Sequence, residues 1–380
     1  MNESDLHRSE QLMHQIIRHI EQSQVISFAD YMAKALYTPE LGYYMQPEIT
    51  IGQDFTTAPM QGPWLAQCLA QAWQSLAKQC DDQASVVEFG PGSGQLCHDF
   101  LLAAQHLDCL PERYELIDIS PALKKLQQLT VSTLPDTLQQ RIHWVDAPSE
   151  MQGLILANEF IDAWPVHQFA LNPQLQERCV GLDEKNQLTW VYRDLLASQP
   201  LYQAVTALNL PAYKGFHSEV LLSLSDWFQD MARCMVRGAM LLIDYGMPQC
   251  AYYHPQRATG TVRCHSQHRA HDDPLLWPGL QDITAQVDFS AVKRAALQAD
   301  WRIVGYAGQA EFMLNNGLQT KLVEQEALLT IQDRLQIKQL LMPTEMGEAF
   351  KVFGASRGLT LPWFDGIDRQ ASLEALWPVM

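Results

Sequence analysis

The pattern of apolar and polar positions divides the chain into a helical opening and a long alternation of short apolar strands with amphipathic helices. Leu12, Ile16, Ile17 and Ile20 recur at the three- and four-residue spacing of one helix face, so an amphipathic helix opens the sequence. Ser27-Phe28-Ala29-Asp30-Tyr31-Met32 reads as a capped second helix. The turn-rich Y-T-P-E-L-G-Y-Y follows, with tyrosines at 37, 43 and 44, and then I-G-Q-D-F-T-T-A-P (51–59) forms a loop ahead of a third helix over 62–79. Gly52, Pro59, Gly62 and Pro63 punctuate this region, and Asp54, Thr56 and Thr57 give it hydrogen-bonding groups. Such a loop either folds over a ligand or serves as a plain connector.

From residue 85 the rhythm changes. Val86 and Val87 run into Glu88, glycines follow at 90, 92 and 94, and Leu96 begins an apolar helical pattern. A buried strand, a glycine turn and a helix start are the parts of a nucleotide-binding crossover. Gln95, however, stands where a dinucleotide fingerprint has its third glycine, which weighs against a nicotinamide-dependent oxidoreductase. A second strand, Y-E-L-I-D-I-S (114–120), ends in Asp118, and an acid at that strand tip accepts ribose hydroxyls. Strands at 141–146, 153–160 and 238–246 follow; the fourth runs into Asn158, Glu159 and Asp162, and the fifth into Asp244, Tyr245 and Gly246. W-R-I-V-G-Y-A (301–307) and F-K-V-F-G-A-S (350–356) flank a helical stretch, 320–340, and fit an antiparallel pair closing the sheet. Two inserts interrupt the alternation, at about 165–220 and 247–290, and read as a substrate lid or small second lobe. There is no internal repeat and no low-complexity tract.

Composition narrows the function classes. Of 380 residues 47% are apolar, enough for a sizeable core. The 43 acidic against 26 basic residues give a formal charge of −17, which repels phosphate backbones and makes nucleic acid a poor partner. The eight cysteines are scattered without a C-x-x-C pair, the pattern of reduced thiols, not of a disulfide framework or zinc site. The first residues are polar and acidic, and no run of 18 apolar residues occurs, so the expectation is a cytoplasmic protein with no membrane insertion. His265, His268, His271, Asp272 and Asp273 raise the question of a metal, but the interleaved Arg269 and Pro274 suggest a loop, and no metal is expected.

The spacing E-x-G-x-G-x-G from Glu88 to Gly94 resembles the first motif of class I S-adenosyl-L-methionine (SAM) methyltransferases. Further blocks extend the resemblance along almost the whole chain: Y-x-x-x-L-G-Y-Y, G-Q-D-F-T-T-A-P, Y-x-L-I-D-I-S-P, A-N-E-F-I-D-A-W-P-V, L-L-I-D-Y-G, and the region from G-T-V-R-C-H-S-Q-H-R to D-I-T-A-Q-V-D-F. On these the chain resembles the MidA-like family of SAM-dependent methyltransferases, whose mitochondrial members methylate an arginine of a respiratory complex I subunit and assist its assembly. The resemblance implies an α/β, Rossmann-like class I seven-stranded sheet with an N-terminal helical segment and substrate-side insertions. The chain then divides into a helical segment with a ligand-covering loop (1–80), the first part of the SAM-binding core (81–164), an inserted substrate lobe (165–237) and the remainder of the core with its insertion (238–380).

Within that resemblance the cofactor, SAM, falls to Glu88, Gly90, Gly92, Gly94, Asp118, Trp144, Asp146 and Thr57. The glycines let backbone approach the methionine portion, Asp118 holds the ribose, and Asp146 with Trp144 is placed for the adenine. Asn158, Glu159 and Asp162 stand where the methyl is transferred, with Glu159 best suited to fork against a guanidinium and Asp162 next. Asp282, Thr284, Gln286, Asp288 and Tyr245 shape the acceptor pocket. Two departures touch the substrate side: Met60-Gln61 replaces an acid and a small polar residue, and Gln286 stands where the family has histidine, so it cannot carry a proton as imidazole does. The implied activity is methyl transfer to a protein side chain, an arginine nitrogen, with a respiratory complex subunit as one candidate partner. The alternatives are a small-molecule O- or N-methyltransferase and a SAM-binding assembly factor without turnover. Oligomeric state is left open.

Overall fold

The computed structural model describes residues 3–46, 57–171, 174–211, 215–266, 269–324 and 327–359. The apolar runs from Ser85 onward become one mixed sheet, eight-stranded among the described residues. Its strands are β1 (Ser85–Phe89), β2 (Tyr114–Ile117), β3 (Ile142–Trp144), β4 (Met151–Asn158), β5 (Met235–Met247), β6 (Val287–Asp288), β7 (Arg302–Gly308) and β8 (Phe350–Arg357). They lie in the order β7-β8-β5-β4-β1-β2-β3, with the two-residue β6 paired to β5. From β5 to β3 every pair is parallel, whereas β8 runs antiparallel to both β5 and β7. The expected closing pair therefore forms. Seven strands lie along one path, and β6, parallel to the end of β5, makes the eighth where seven are expected. Two residues are too few to show a strand period, so sequence gave no sign of it.

The central strands are apolar along their length because both faces are covered. Val86, Val87, Leu154, Ile155, Leu156 and Leu241 are fully buried. Helices α1 (Trp64–Ala77), α2 (Gln95–His106) and α3 (Pro121–Val131) cover the sheet with one apolar stripe each, burying Leu65, Leu69, Trp73, Phe100, Leu101 and Val131 in the same core. At about 25 cal/mol per Å² of apolar surface, stripes of this kind are the main reason the helices stay on the sheet.

The chain folds as two compact units, and the sheet belongs to the described residues of Thr56–Ile161, Ser225–Pro248 and Val287–Met380. The other unit is formed by those of Met1–Phe55, Asp162–Leu224 and Gln249–Gln286. Here Ile26–Ser27 pairs antiparallel with Leu175–Leu182, which adjoins His167–Leu171 and then Phe216–Val220, with Leu188–Asp194 on its flank. A smaller three-stranded sheet joins Arg269–His271, Arg263–Ser266 and Asp282–Thr284. The opening helix, Glu3–Ser23, buries Leu12, Ile16 and Ile20 as its spacing requires, and Ser27 caps the helix Phe28–Tyr37 by accepting the Asp30 N–H at 3.0 Å. Their buried faces share a core with Val180, Val262 and Ile283. Most of the region 1–80 thus shares a unit with much of the two inserts, while 57–80 belongs with the sheet. A local pattern marks which face is buried but not what it is buried against. No helix among the described residues is long and apolar enough to cross a membrane.

Candidate active site

Strand order reverses between β1 and β4: from β1 the chain moves outward to β2 and β3, then returns to β4 on the other side. In open α/β sheets that crevice, beyond the carboxyl ends of the strands, is where ligands bind. The glycine loop occupies it. Gly90 has φ +62°, and a Cβ there would lie 2.8 Å from Phe160 Cδ2. Gly94, at φ +81°, heads α2, and its Cβ would stand 3.1 Å from the Gln127 Cα. Both positions combine a left-handed backbone with a close approach, which only glycine meets without strain. Gly90 N–H donates to the Ile117 carbonyl at 3.0 Å, tying the loop to the end of β2.

Asp118 follows directly on β2. One carboxylate oxygen accepts the Ser120 N–H at 2.8 Å and the other accepts the Gln127 side-chain amide at 2.7 Å. Burial raises its pKa, and these hydrogen bonds together with Lys124 offset part of the rise. Trp144 donates its indole N–H to Gln127 at 3.0 Å. Asp146 is fully exposed and lies 3.6 Å from Lys124. Glu88 lies within β1 at 2% exposure and accepts the Tyr114 hydroxyl at 2.8 Å. Burial pushes its carboxyl up to about 8, against the lowering effect of Tyr114 and with Asp118 adding to the rise. The folded protein therefore holds this proton more tightly than the unfolded chain does, and stability from it is lost as pH climbs from about 4.5 to about 8. Glu88→Gln removes that dependence. Its melting temperature relative to wild type should rise across that window and then level off; a difference independent of pH would refute the assignment.

The second half of the site is a strained corner after β4. Glu159 adopts φ +51°, a left-handed conformation that a residue with a Cβ holds only when its surroundings enforce it. Glu159 N–H donates to the Ile243 carbonyl at 2.8 Å. Asp244, buried at the tip of β5, accepts Ile161 N–H and Tyr245 N–H, each at 2.9 Å, and so fixes the far side of the corner. The Phe160 ring is seated against Phe89 and Trp227. Held in this way, the Glu159 carboxylate collects three donors: Ala58 N–H at 3.2 Å, the Asn158 amide at 3.0 Å and the Tyr245 hydroxyl at 3.4 Å. The side chain keeps some accessible surface, yet protein surrounds the carboxyl closely and burial pushes it up to about 8. Ala58, Asn158 and Tyr245 work against that rise and Asp244 with it. Asn158 Oδ1 is buried and has no hydrogen-bond partner among the described residues. A buried acceptor of this kind costs free energy unless a ligand supplies the donor.

The remaining residues singled out in the sequence fall in several places. Thr57 precedes the short turn Ala58–Gln61, beside the N–H that reaches Glu159, and Met60 and Gln61 lie in that turn. Asp54 and Thr56 lie outside the described residues. Asp162 belongs to the other unit, where its carbonyl accepts Ala285 N–H at 2.9 Å. Its carboxylate and that of Asp282 both raise the Tyr44 pKa, after the larger effect of burial. Tyr44 donates to Asp282 at 2.7 Å and stacks on Tyr37 at 5.7 Å. The same unit contains Thr284, paired with Arg263 across the small sheet, and Gln286, whose N–H donates to the Thr261 hydroxyl at 3.0 Å.

Asp288, expected to shape the acceptor pocket, caps the helix Phe289–Gln298, accepting Ser290 N–H at 2.9 Å with Arg294 at 3.4 Å. The histidine-rich stretch forms a hairpin in which Cys264 pairs with His271, and His268 lies outside the described residues. No group of three potential metal ligands gathers among the described residues. Sequence reasoning missed Gln127 and the positioning task of Asp244. Asp244 was legible as an acid at a strand tip; Gln127 gave no signal, being one glutamine in a polar-looking helix.

Taken together, bare backbone at the glycine loop and a carboxylate at the β2 tip fit a nucleoside ligand, and the unpartnered amide oxygen of Asn158 at the β4 tip is left to accept from a neighbouring group. The comparisons with known proteins agree. Residues 64–307 match the family model described as "Putative S-adenosyl-L-methionine-dependent methyltransferase". The chain is 30% identical over 374 residues to "Protein arginine methyltransferase NDUFAF7, mitochondrial" of Danio rerio, covering 86% of this chain and 82% of that one. It is 27% identical to the protein of the same name from Homo sapiens, covering 90% and 82%. A native crystal structure from Burkholderia thailandensis superposes with a TM-score of 0.88 at 34% identity over 98% of both chains. A second structure from that organism, bound to S-adenosyl-homocysteine, gives 0.86 at 33% identity over 97% and 96%.

Proposed function

We propose, for a chain that belongs to the family of S-adenosyl-L-methionine-dependent methyltransferases, that the methyl group goes to a protein side chain and that the acceptor is an arginine nitrogen. The observation that carries this reading is the Glu159 corner: a buried carboxylate held in a strained backbone, with an unpartnered amide oxygen on the preceding residue. The names of the curated relatives support the same acceptor.

When bound, SAM would supply an electrophilic methyl on a sulfonium: the new N–C bond would form as the S–C bond breaks, with S-adenosyl-homocysteine leaving and one N–H proton of the methylated nitrogen passing to solvent. An arginine side chain is a poor nucleophile because its lone pairs are spread over a planar cation. A carboxylate forked against two of its nitrogens draws positive charge toward them, leaving more electron density on the third. Glu159 is the group for this task, and Asn158 Oδ1 accepts one further N–H. Ala58 N–H, the Asn158 amide and Tyr245 set the carboxylate's orientation before the acceptor arrives, so little reorganisation is needed in the transition state.

The raised pKa gives this reading a pH signature. Below about 8 the free protein holds Glu159 protonated, and a guanidinium requires it ionised, so acceptor binding expels a proton. With a peptide acceptor, kcat/KM should increase with pH through an apparent value near 8 and then flatten. A profile already flat from pH 6 upward would remove Glu159 from the guanidinium role.

The direct test uses tritiated SAM with a lysate of cells lacking this gene. The purified protein should label a protein band whose acid hydrolysate contains methylarginine. Label confined to small molecules, or recovered on another amino acid, overturns the proposal.

A further inference from the structure

Three walls of the cofactor site meet on one side chain inside α3. Gln127 is wholly buried. Its amide nitrogen donates to the Gly92 carbonyl at 3.0 Å and to Asp118 at 2.7 Å, while its amide oxygen accepts the Trp144 indole at 3.0 Å. The partners fix which way the amide points. Turned over, its oxygen would face a carbonyl and a carboxylate, and its nitrogen would face an N–H. Both amide hydrogens are therefore committed, one to the glycine loop after β1 and one to the acid after β2, and the oxygen to β3. The backbone of the same residue is what a Cβ at Gly94 would meet. A hydrophobic residue would fill this volume as well, so core packing does not account for an amide with three such partners.

We propose that Gln127 is a positioning residue for SAM, setting the Asp118 carboxylate for the ribose and joining it to the glycine loop and to Trp144 before the ligand arrives. This rests on the reading of Asp118 as the ribose acceptor. An ionised carboxylate has about four acceptor sites. Ser120 N–H and Gln127 bind different oxygens, and the Ile119 N–H also lies on this carboxylate, so the acceptor sites left for the ribose hydroxyls are few and their direction matters. Without Gln127 the carboxylate is held only by backbone N–H groups, so its second oxygen loses its fixed direction toward the ribose.

The test is calorimetric titration of S-adenosyl-homocysteine and of its 2′,3′-dideoxyribose counterpart into wild type, Gln127→Met, Asp118→Asn and the double variant, with melting temperatures of the free proteins. Gln127→Met should weaken S-adenosyl-homocysteine on the order of tenfold more than the dideoxy compound, the loss of about one oriented hydrogen bond. The double variant should bind S-adenosyl-homocysteine no more weakly than Asp118→Asn alone, because both changes act through one carboxylate. Equal losses for the two ligands, or fully additive losses, would make Gln127 a structural residue and overturn the proposal. Unchanged affinity in Asp118→Asn would instead bring down the ribose reading itself, and this inference with it. If Gln127→Met does not fold, Trp144→Phe removes the N–H that anchors the amide oxygen, and the loss of indole surface that comes with it falls equally on both ligands. It should show the same discrimination between ligands at smaller size, and no discrimination there counts against the proposal.

Discussion

Glu159→Gln is expected to abolish methyl transfer while S-adenosyl-homocysteine still binds with wild-type affinity. The substitution is isosteric and introduces no new backbone strain, since both residues carry the same Cβ into the left-handed conformation at φ +51°. The amide oxygen can still accept Ala58 N–H and its nitrogen can donate toward Tyr245, so the corner keeps its hydrogen bonds. What disappears is the negative charge. In a site where burial already disfavours the carboxylate, a guanidinium would lose the charge forked against it, and the loss in kcat/KM should be on the order of a hundredfold or more. The measurement is methyl incorporation into the labelled protein band, run beside a titration that shows the cofactor site intact. Wild-type incorporation in this variant would end the guanidinium role. Lost incorporation together with lost cofactor binding would show that the corner belongs to the cofactor, not to the acceptor.

Asp118→Ala should have the largest effect on cofactor affinity. The variant removes acceptors for two ribose hydroxyls, and charge-assisted hydrogen bonds of that kind are worth roughly 1.5–3 kcal/mol each, so affinity should fall by at least about a hundredfold. A smaller cost in stability accompanies it, because Ser120 N–H and the Gln127 amide lose their partner. The free protein should nonetheless melt cooperatively, since Asp118 lies past the end of β2 and outside the apolar core. Titration calorimetry with S-adenosyl-homocysteine decides the matter. An affinity unchanged from wild type would take the ribose away from Asp118.

The two variants probe different parts of one crevice. If both behave as expected, the strands β1, β2 and β4 have each contributed one functional tip: the glycine loop, Asp118, and the Asn158-Glu159 corner. That division follows from the parallel sheet, which brings the carboxyl ends of successive strands to one edge.

Periodicity and local chemistry determined much of this protein by themselves. The strand positions, the glycine loop, the cap at Ser27, the acid at Asp118 and the carboxylate at Glu159 were all readable, because each depends on residues close together in the chain. The order of the strands was readable only through resemblance, and the short β6 was not readable at all. Three things waited for tertiary structure. The N-terminal helices proved to share a core with the inserts, because an amphipathic face does not name its partner. Asp288 proved to be a helix cap and Asp162 a neighbour of Tyr44, because identical carboxylates take their roles from the donors that surround them. Gln127 emerged as the link between three walls, because a glutamine's meaning lies in which buried groups it meets. Sequence specifies the chemistry that each side chain is able to perform. Only the fold decides which groups lose water and face one another, and burial and distance are what turn that capacity into a site.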